Sequence, residues 1–317
     1  MKKLFSIIIP CYNNREYIEA AVKSCFNQGL VSSCYEIIVV DDGSTDGSGE
    51  IINKFKNHPN VHILAQKNQG VSIARKNGVD IASAKYVIFL DADDCLQKNT
   101  LADIKSEIFK HKNVMWFAFP IKRVSEDGTD IKHIDSSALS SYKYDNNICL
   151  SPREAFVMYK RKQLPPVICA SVFDRNLIKS VEFPTGRFED SRIFYSLLRM
   201  GHSVMLLKSG AYLYYHRQRS FMNHEWNAEK WIMYAQARLD CICAEREILG
   251  ESKSLIESTT RFYYSLKYLG YLHSDDCRYS VPVAIIENGG VKYSTSFFRE
   301  FYARCRACIV KYLKKVN

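Results

Sequence analysis

Strand-like and helix-like segments alternate through the first 120 residues, and this order restricts the fold more than any other property of the chain. Residues 4–10, 36–40, 61–65 and 86–90 are short apolar runs rich in β-branched and aromatic side chains. Residues 16–27, 47–55, 71–82 and 100–110 repeat apolar residues at helical spacing. Tyr17, Ala20, Ala21, Ser24, Cys25 and Gln28 recur every three to four positions in the first, and Ile51, Ile52 and Phe55 share one side of the second. Strands that alternate with helices predict an α/β fold, a mostly parallel sheet flanked by helices.

The remaining segments extend this reading. Residues 124–150 are polar and read as a mobile loop over one end of the sheet. Ser151-Pro152-Arg153-Glu154 is a capping box with proline in the first helical position. A helix over 190–199 and strands over 203–207 and 212–217 follow. From Trp226 the pattern is mainly helical. The domain division read from this is 1–222 and a helical region, 223–317.

Composition narrows the function. The chain has 317 residues, 47% of them hydrophobic, enough for a real core. No apolar run reaches about 18 residues, so no spanning helix is expected. The start, Met1-Lys2-Lys3-Leu4-Phe5-Ser6-Ile7-Ile8-Ile9-Pro10, has a short apolar run and lacks a small-residue cleavage site, so a cytosolic chain is expected. Eleven scattered cysteines, without paired zinc spacing, suit a reducing compartment. The net charge of +10 fits nucleic acid, an anionic membrane or an anionic substrate. No nucleic-acid-binding signature accompanies it, so nucleic acid is not an expected partner.

Carboxylates cluster where two apolar runs end. Tyr86-Val87-Ile88-Phe89-Leu90 stops in Asp91-Ala92-Asp93-Asp94, and the run over 36–40 stops in Asp41-Asp42-Gly43-Ser44-Thr45-Asp46. Open α/β sheets bind ligands outside the carboxyl ends of their strands. Asp91 and Asp93 can share one hard cation, Mg²⁺ or Mn²⁺, with substrate phosphates; the same triplet also suits a turn that caps a helix. Asp42 can accept from a base or a ribose hydroxyl. A calcium loop is rejected, because its twelfth position is Asn53. No Gly-x-Gly-x-x-Gly follows the first strand, which disfavours ordinary dinucleotide binding.

Three further stretches carry candidate chemistry. In Asn68-Gln69-Gly70-Val71-Ser72-Ile73-Ala74-Arg75-Lys76-Asn77-Gly78, Arg75 can face phosphates and Gly70 permits close approach at a helix N-terminus. Asp190, in Gly186-Arg187-Phe188-Glu189-Asp190, can act as a general base or as a helix cap. At the end of a late strand, His216 can ligate the metal, and Arg217 and Arg219 can grip a diphosphate.

Taken in order, Ser6-Ile7-Ile8-Ile9-Pro10-Cys11-Tyr12-Asn13, Val39-Val40-Asp41-Asp42-Gly43-Ser44-Thr45-Asp46, the 68–78 stretch and Leu90-Asp91-Ala92-Asp93-Asp94 resemble the family 2 glycosyltransferases with the GT-A fold. Glu189-Asp190 and Tyr215-His216-Arg217 continue the resemblance, which covers residues 1 to about 222. It implies a Rossmann-like GT-A domain and an inverting enzyme dependent on a nucleotide sugar, a UDP-sugar by family habit. It also implies roles: Pro10 and Tyr12 beside the base, Asp42 on uracil or ribose, Asp91 toward ribose and diphosphate, Asp93 on the metal, Asp190 as catalytic base, and His216 on the metal or diphosphate. Lys76 departs from the usual arginine beside a retained Arg75. The implied acceptor is a hydroxyl of a glycan or lipid-linked glycan in surface polysaccharide synthesis. The alternative is a degenerate, membrane-associated protein that only binds nucleotide sugars.

The tail has its own pattern. As a helix, residues 298–313 gather Phe298, Phe301, Tyr302, Cys305, Cys308, Ile309, Tyr312 and Leu313 on one side, with Arg304, Arg306, Lys311, Lys314 and Lys315 flanking or opposite. That suits a helix on the anionic inner membrane face and, equally, a helix docked on the protein.

Overall fold

The computed structural model describes residues 3–125, 143–216, 227–273 and 276–293. Arg217, Arg219, the tail helix and most of the 124–150 loop fall outside the described residues.

In chain order the elements are β1 (Phe5–Cys11), α1 (Ile18–Phe26), β2 (Tyr35–Asp41), α2 (Ser48–Asn53), β3 (Val61–Ala65), α3 (Val71–Ile81), β4 (Tyr86–Phe89), β5 (Cys95–Leu96) and α4 (Thr100–Lys110). Then come β6 (Trp116–Ala118), β7 (Ile121–Val124), β8 (Ile148–Leu150), α5 (Pro152–Lys160), β9 (Ser171–Asp174), α6 (Arg175–Lys179), α7 (Glu189–Arg199), β10 (Val204–Leu206) and β11 (Tyr212–Tyr215). The described chain ends with α8 (Ala228–Leu249), α9 (Lys253–Leu272) and α10 (Val281–Asn288). The four expected strands and four expected helices of the first 110 residues are β1–β4 and α1–α4.

Two compact units divide the described residues, one within 1–185 and 200–223, the other within 186–199 and 224–317. The division therefore differs from a single break at 222/223, because α7 belongs with the helices that follow it.

The first unit is built on a sheet ordered β3-β2-β1-β4-β9-β6-β10-β8. β3, β2, β1 and β4 run parallel. β9 and β8 run against the others. β1 is buried at every position and β2 at all but its last. An unbroken apolar strand, rather than an alternating one, is what a sheet covered on both faces requires. The helical cover is close: a Cβ on Gly78 of α3 would lie 2.4 Å from Ile8 Cγ2, so only glycine lets α3 approach β1 at that point. Pro10 survives inside this sheet because β1 outlasts β4. Its missing N–H points to the side where pairing stops at Ile8↔Phe89.

A smaller sheet, β5-β11-β7, joins the turn after β4 to the end of β11. At the opposite end of the large sheet, Glu36 is a buried clamp. Its carboxylate accepts from Ser6 Oγ (2.6 Å), Lys3 Nζ (2.9 Å), Ser83 N (2.7 Å) and Ser83 Oγ (2.9 Å). Burial alone would raise its pKa, but these donors hold it down at about 2. The capping box of α5 forms as expected, with Ser151 Oγ accepting from Glu154 N and Glu154 Oε2 from Ser151 N.

In the second unit α7 packs on α8, tied by Arg192 to Asp240 (2.5 Å) and Arg199 to Glu247 (2.7 Å). Leu239, Ile242, Leu255, Tyr263, Leu266 and Ile286 form the core of α8, α9 and α10. No helix of the described residues is long and apolar enough to cross a membrane.

Candidate active site

The parallel strands deliver three loops to one end of the sheet: 12–17 after β1, 42–48 after β2 and 91–94 after β4. The first two are laced together. Asn13 N donates to Ser44 Oγ (3.1 Å), Thr45 N to Asn13 Oδ1 (2.8 Å), Asn14 N to Ser48 Oγ (2.9 Å) and Arg15 N to Asp46 Oδ2 (3.0 Å). Asn13 takes a left-handed backbone, φ 54°, to make this crossing. Pro10 is buried in β1, and Tyr12, 48% exposed, stands at the rim.

Asp42 opens the loop after β2. It is buried, and both carboxylate oxygens turn onto the loop before α3. Oδ1 accepts from Gln66 Nε2 and Gln69 N, each at 2.8 Å, and Oδ2 from Gly70 N at 2.9 Å. Backbone N–H groups at a helix N-terminus attract an anion. Here the chain supplies its own, so Gly70 N–H is already taken rather than open to a phosphate.

The carboxylates after β4 separate by partner. Asp91 Oδ1 lies 2.7 Å from Arg75 Nη2, with the arginine 3% exposed and the aspartate 32%. Arg75 is thus held in the wall, against Asp91. Asp94 is 2% exposed; Oδ2 accepts from the Tyr212 hydroxyl (2.7 Å) and Oδ1 from Tyr215 N (2.9 Å). The same hydroxyl accepts from Asp91 N (3.2 Å), so Tyr212 joins both carboxylate residues to β11. Burial, then the charges of Asp93 and Asp91, pushes the Asp94 carboxyl well above the usual carboxylate range. Burial, then Asp91 and Asp94, likewise raises the Tyr212 hydroxyl. Cys11, at the end of β1, stays a thiol: burial first, then Asp41, pushes its pKa up to about 12.

Asp93 opens on a cavity of about 390 Å³, bounded also by Glu16, Tyr17, Cys95 and Tyr215. A hard cation commonly takes one or two carboxylates and completes its shell with water and phosphate oxygens. Asp93, with the partly exposed Asp91 close in sequence, fits that pattern. Among the described residues no group of three His, Cys, Asp or Glu side chains could hold a metal by itself. His216 sits at the end of β11, half-buried, its Nδ1 2.6 Å from Arg123 Nη2.

In the second unit Asp190 lies in the first turn of α7, half-buried. The chain enters that turn through two left-handed residues, Gly186 (φ 91°) and Phe188 (φ 64°). A bulky residue in that region marks local strain, a feature that clusters at functional sites. The Phe188 ring rests against Tyr234 of α8 and Arg187 N donates to Met233 Sδ, which hold the entry in place.

Sequence reasoning missed Tyr212, Arg123 and the cavity residues Glu16, Tyr17 and Tyr215. Tyr212 read only as a strand residue, because its partner Asp94 is 118 positions away. The one available signal was the charged pair Lys122-Arg123, set between Ile121 and Val124 in a strand-length segment.

Known proteins resemble this chain in sequence and in fold. The family model described as "Glycosyl transferase family 2" matches residues 6–169. Glycosyltransferase GlyG of Streptococcus pneumoniae serotype 4 (strain ATCC BAA-334 / TIGR4) is 24% identical over 270 residues, 78% of this chain and 84% of the relative. The putative teichuronic acid biosynthesis glycosyltransferase TuaG of Bacillus subtilis (strain 168) is 27% identical over 241 residues, 74% of this chain and 88% of TuaG. Among solved structures, S. aureus TarS 1–349 in complex with UDP-GlcNAc superposes with a TM-score of 0.68 at 18% identity, covering 90% of this chain and 81% of that one. At that identity the likeness speaks for the fold.

Proposed function

The chain belongs to glycosyl transferase family 2, and from that premise we propose that it transfers a sugar, with inversion, from a UDP-sugar to a hydroxyl of a surface glycan or lipid-linked acceptor. The observation that carries this is the sorting of the carboxylates after β4. Arg75 holds Asp91 and Tyr212 holds Asp94, while Asp93 lines the cavity.

The residues take these roles. Tyr12 borders the base at the rim of β1. Asp42 braces the 66–70 loop that shapes this end of the sheet. Asp93, with Asp91, would hold Mg²⁺ or Mn²⁺, which supplies neutralising charge to a diphosphate leaving group. Arg217 and Arg219 add positive charge to the same group. Asp190 takes the proton of the acceptor hydroxyl as it attacks the anomeric carbon. A single in-line displacement inverts that centre, so an α-linked donor gives a β-linked product. The name of TuaG, a putative teichuronic acid biosynthesis glycosyltransferase, supports a role in surface polysaccharide synthesis.

The test is thermal unfolding with UDP, GDP, dTDP and CMP, each with Mn²⁺ or EDTA. A ligand that binds only the folded state raises Tm. The expected result is a rise with UDP that EDTA abolishes; a chain unmoved by every nucleotide would argue against the reading.

A further inference from the structure

Ala92 and Asp93 form the middle of a β-turn, closed by Asp94 N donating to Asp91 O (3.1 Å). One such bond by itself leaves a turn free to rock. Here a single side chain, 118 positions beyond Asp94, grips both ends. The Tyr212 hydroxyl accepts from Asp91 N (3.2 Å) and gives its proton to Asp94 Oδ2 (2.7 Å). That sense is fixed, because an amide N–H only donates and a hydroxyl has one proton. Asp94 Oδ1 takes Tyr215 N (2.9 Å), so β11 holds this end of the turn at two points.

The hydroxyl is itself held in place. Tyr212 is 0% exposed, β11 is the middle strand of β5-β11-β7, and Tyr212 N donates to Pro120 O (2.8 Å). Across the turn, Leu90 N donates to Ile8 O (3.0 Å) and Arg75 holds the Asp91 side chain. Ala92 and Asp94 are buried in this arrangement, and Asp91 and Asp93 are half-buried. Tyr212 bonds the backbone of the first turn residue and the side chain of the last, so it sets the path of the chain that carries Asp93. A metal ligand works only when its support keeps it within about 0.5 Å of the productive place. Removing a partner that stands behind a ligand typically costs about 10–100-fold in metal affinity.

We infer that Tyr212 is a positioning residue that fixes the 91–94 turn and thereby aims Asp93 at its cation. The inference rests on the proposed transferase reading for the cation but not for the turn, and the experiment separates the two. Y212F suits it, because that change removes one oxygen and no charge. A loss of cation affinity in Y212F is therefore not a loss of Coulomb attraction.

The turn is read first in the ligand-free chain. In wild type a nuclear Overhauser contact is expected between the Asp91 amide proton and the Tyr212 ring protons beside the hydroxyl; its absence overturns the inference whether or not Y212F folds. In Y212F the amides of Asp91 and Asp94 should exchange with solvent about tenfold faster, the loss of one hydrogen bond at each end. Ser83 N, bonded to Glu36 at the far end of the sheet, serves as the control and should keep its rate. Unchanged exchange at Asp91 and Asp94 overturns the inference. The second arm titrates Mn²⁺ into the UDP complex and reads free Mn²⁺ by electron paramagnetic resonance. Mn²⁺ affinity should fall about tenfold in Y212F, while UDP affinity in EDTA stays within about twofold. A merely structural role would lower the Tm of Y212F and leave the Mn²⁺ affinity of the folded chain as it was, and that result overturns the inference. So does an equal loss of UDP affinity in EDTA, which would make Tyr212 a support of the whole site, and so does a wild-type chain that binds UDP but no Mn²⁺. Should wild type bind neither, the transferase reading fails, while the exchange rates still decide whether Tyr212 holds the turn.

Discussion

Arg75 on α3 and Asp91 after β4 are an ion pair at 2.7 Å, sixteen positions apart in sequence, with the arginine in the wall and the carboxylate part-way out. A charge buried on one side only is costly to leave alone.

Arg75→Met should cost about 1–3 kcal/mol of stability, less than the 3–5 typical of a fully buried pair, because Asp91 keeps some water. Urea unfolding of R75M, D91N and the double variant measures the coupling, expected at about 0.5–3 kcal/mol. Strictly additive losses would show that the contact contributes nothing.

Asp42→Asn places an amide N–H₂ where the chain presents only donors, at Gln66, Gln69 and Gly70. The expected loss is about 1–3 kcal/mol, with faster hydrogen exchange at Gln69 and Gly70. If D42N instead abolishes UDP-dependent stabilisation while exchange at those amides is unchanged, Asp42 contacts the nucleotide directly.

Asp190→Asn tests the base. Transfer from a radiolabelled UDP-sugar should fall about 10²–10⁴-fold, while the rise in Tm with UDP and Mn²⁺ stays at its wild-type value. Near-normal transfer would remove Asp190 from the mechanism.

Glu36 predicts an acid limb to stability. Its folded pKa of about 2 lies below the ordinary 4.5, so the clamp stabilises fully above pH 4.5 and is lost as pH falls from there toward 2. The shift corresponds to about 3 kcal/mol. The stability difference between wild type and Glu36→Gln, measured by urea unfolding, should therefore shrink across that window. A difference that stays constant with pH would mean that the charge of Glu36 is not what its donors stabilise.

The sequence alone determined the β1–β4 and α1–α4 framework and the end of the sheet where the carboxylates gather. Helical spacing, unbroken apolar runs and a capping box are local signals, read within a few turns of chain. β6 to β9, three or four residues each, were too short to carry such a period. The motifs also singled out Asp91 to Asp94 together, without telling these carboxylates apart. Only the tertiary structure decided that Asp42 faces inward to Gly70, that Asp91 answers Arg75, that Asp94 is buried under Tyr212, and that Arg123 stands behind His216. It alone joined α7 to α8 as well. Each of these is set by which groups burial brings within hydrogen-bond reach, and a buried charge takes its role from that partner, which sequence spacing does not encode.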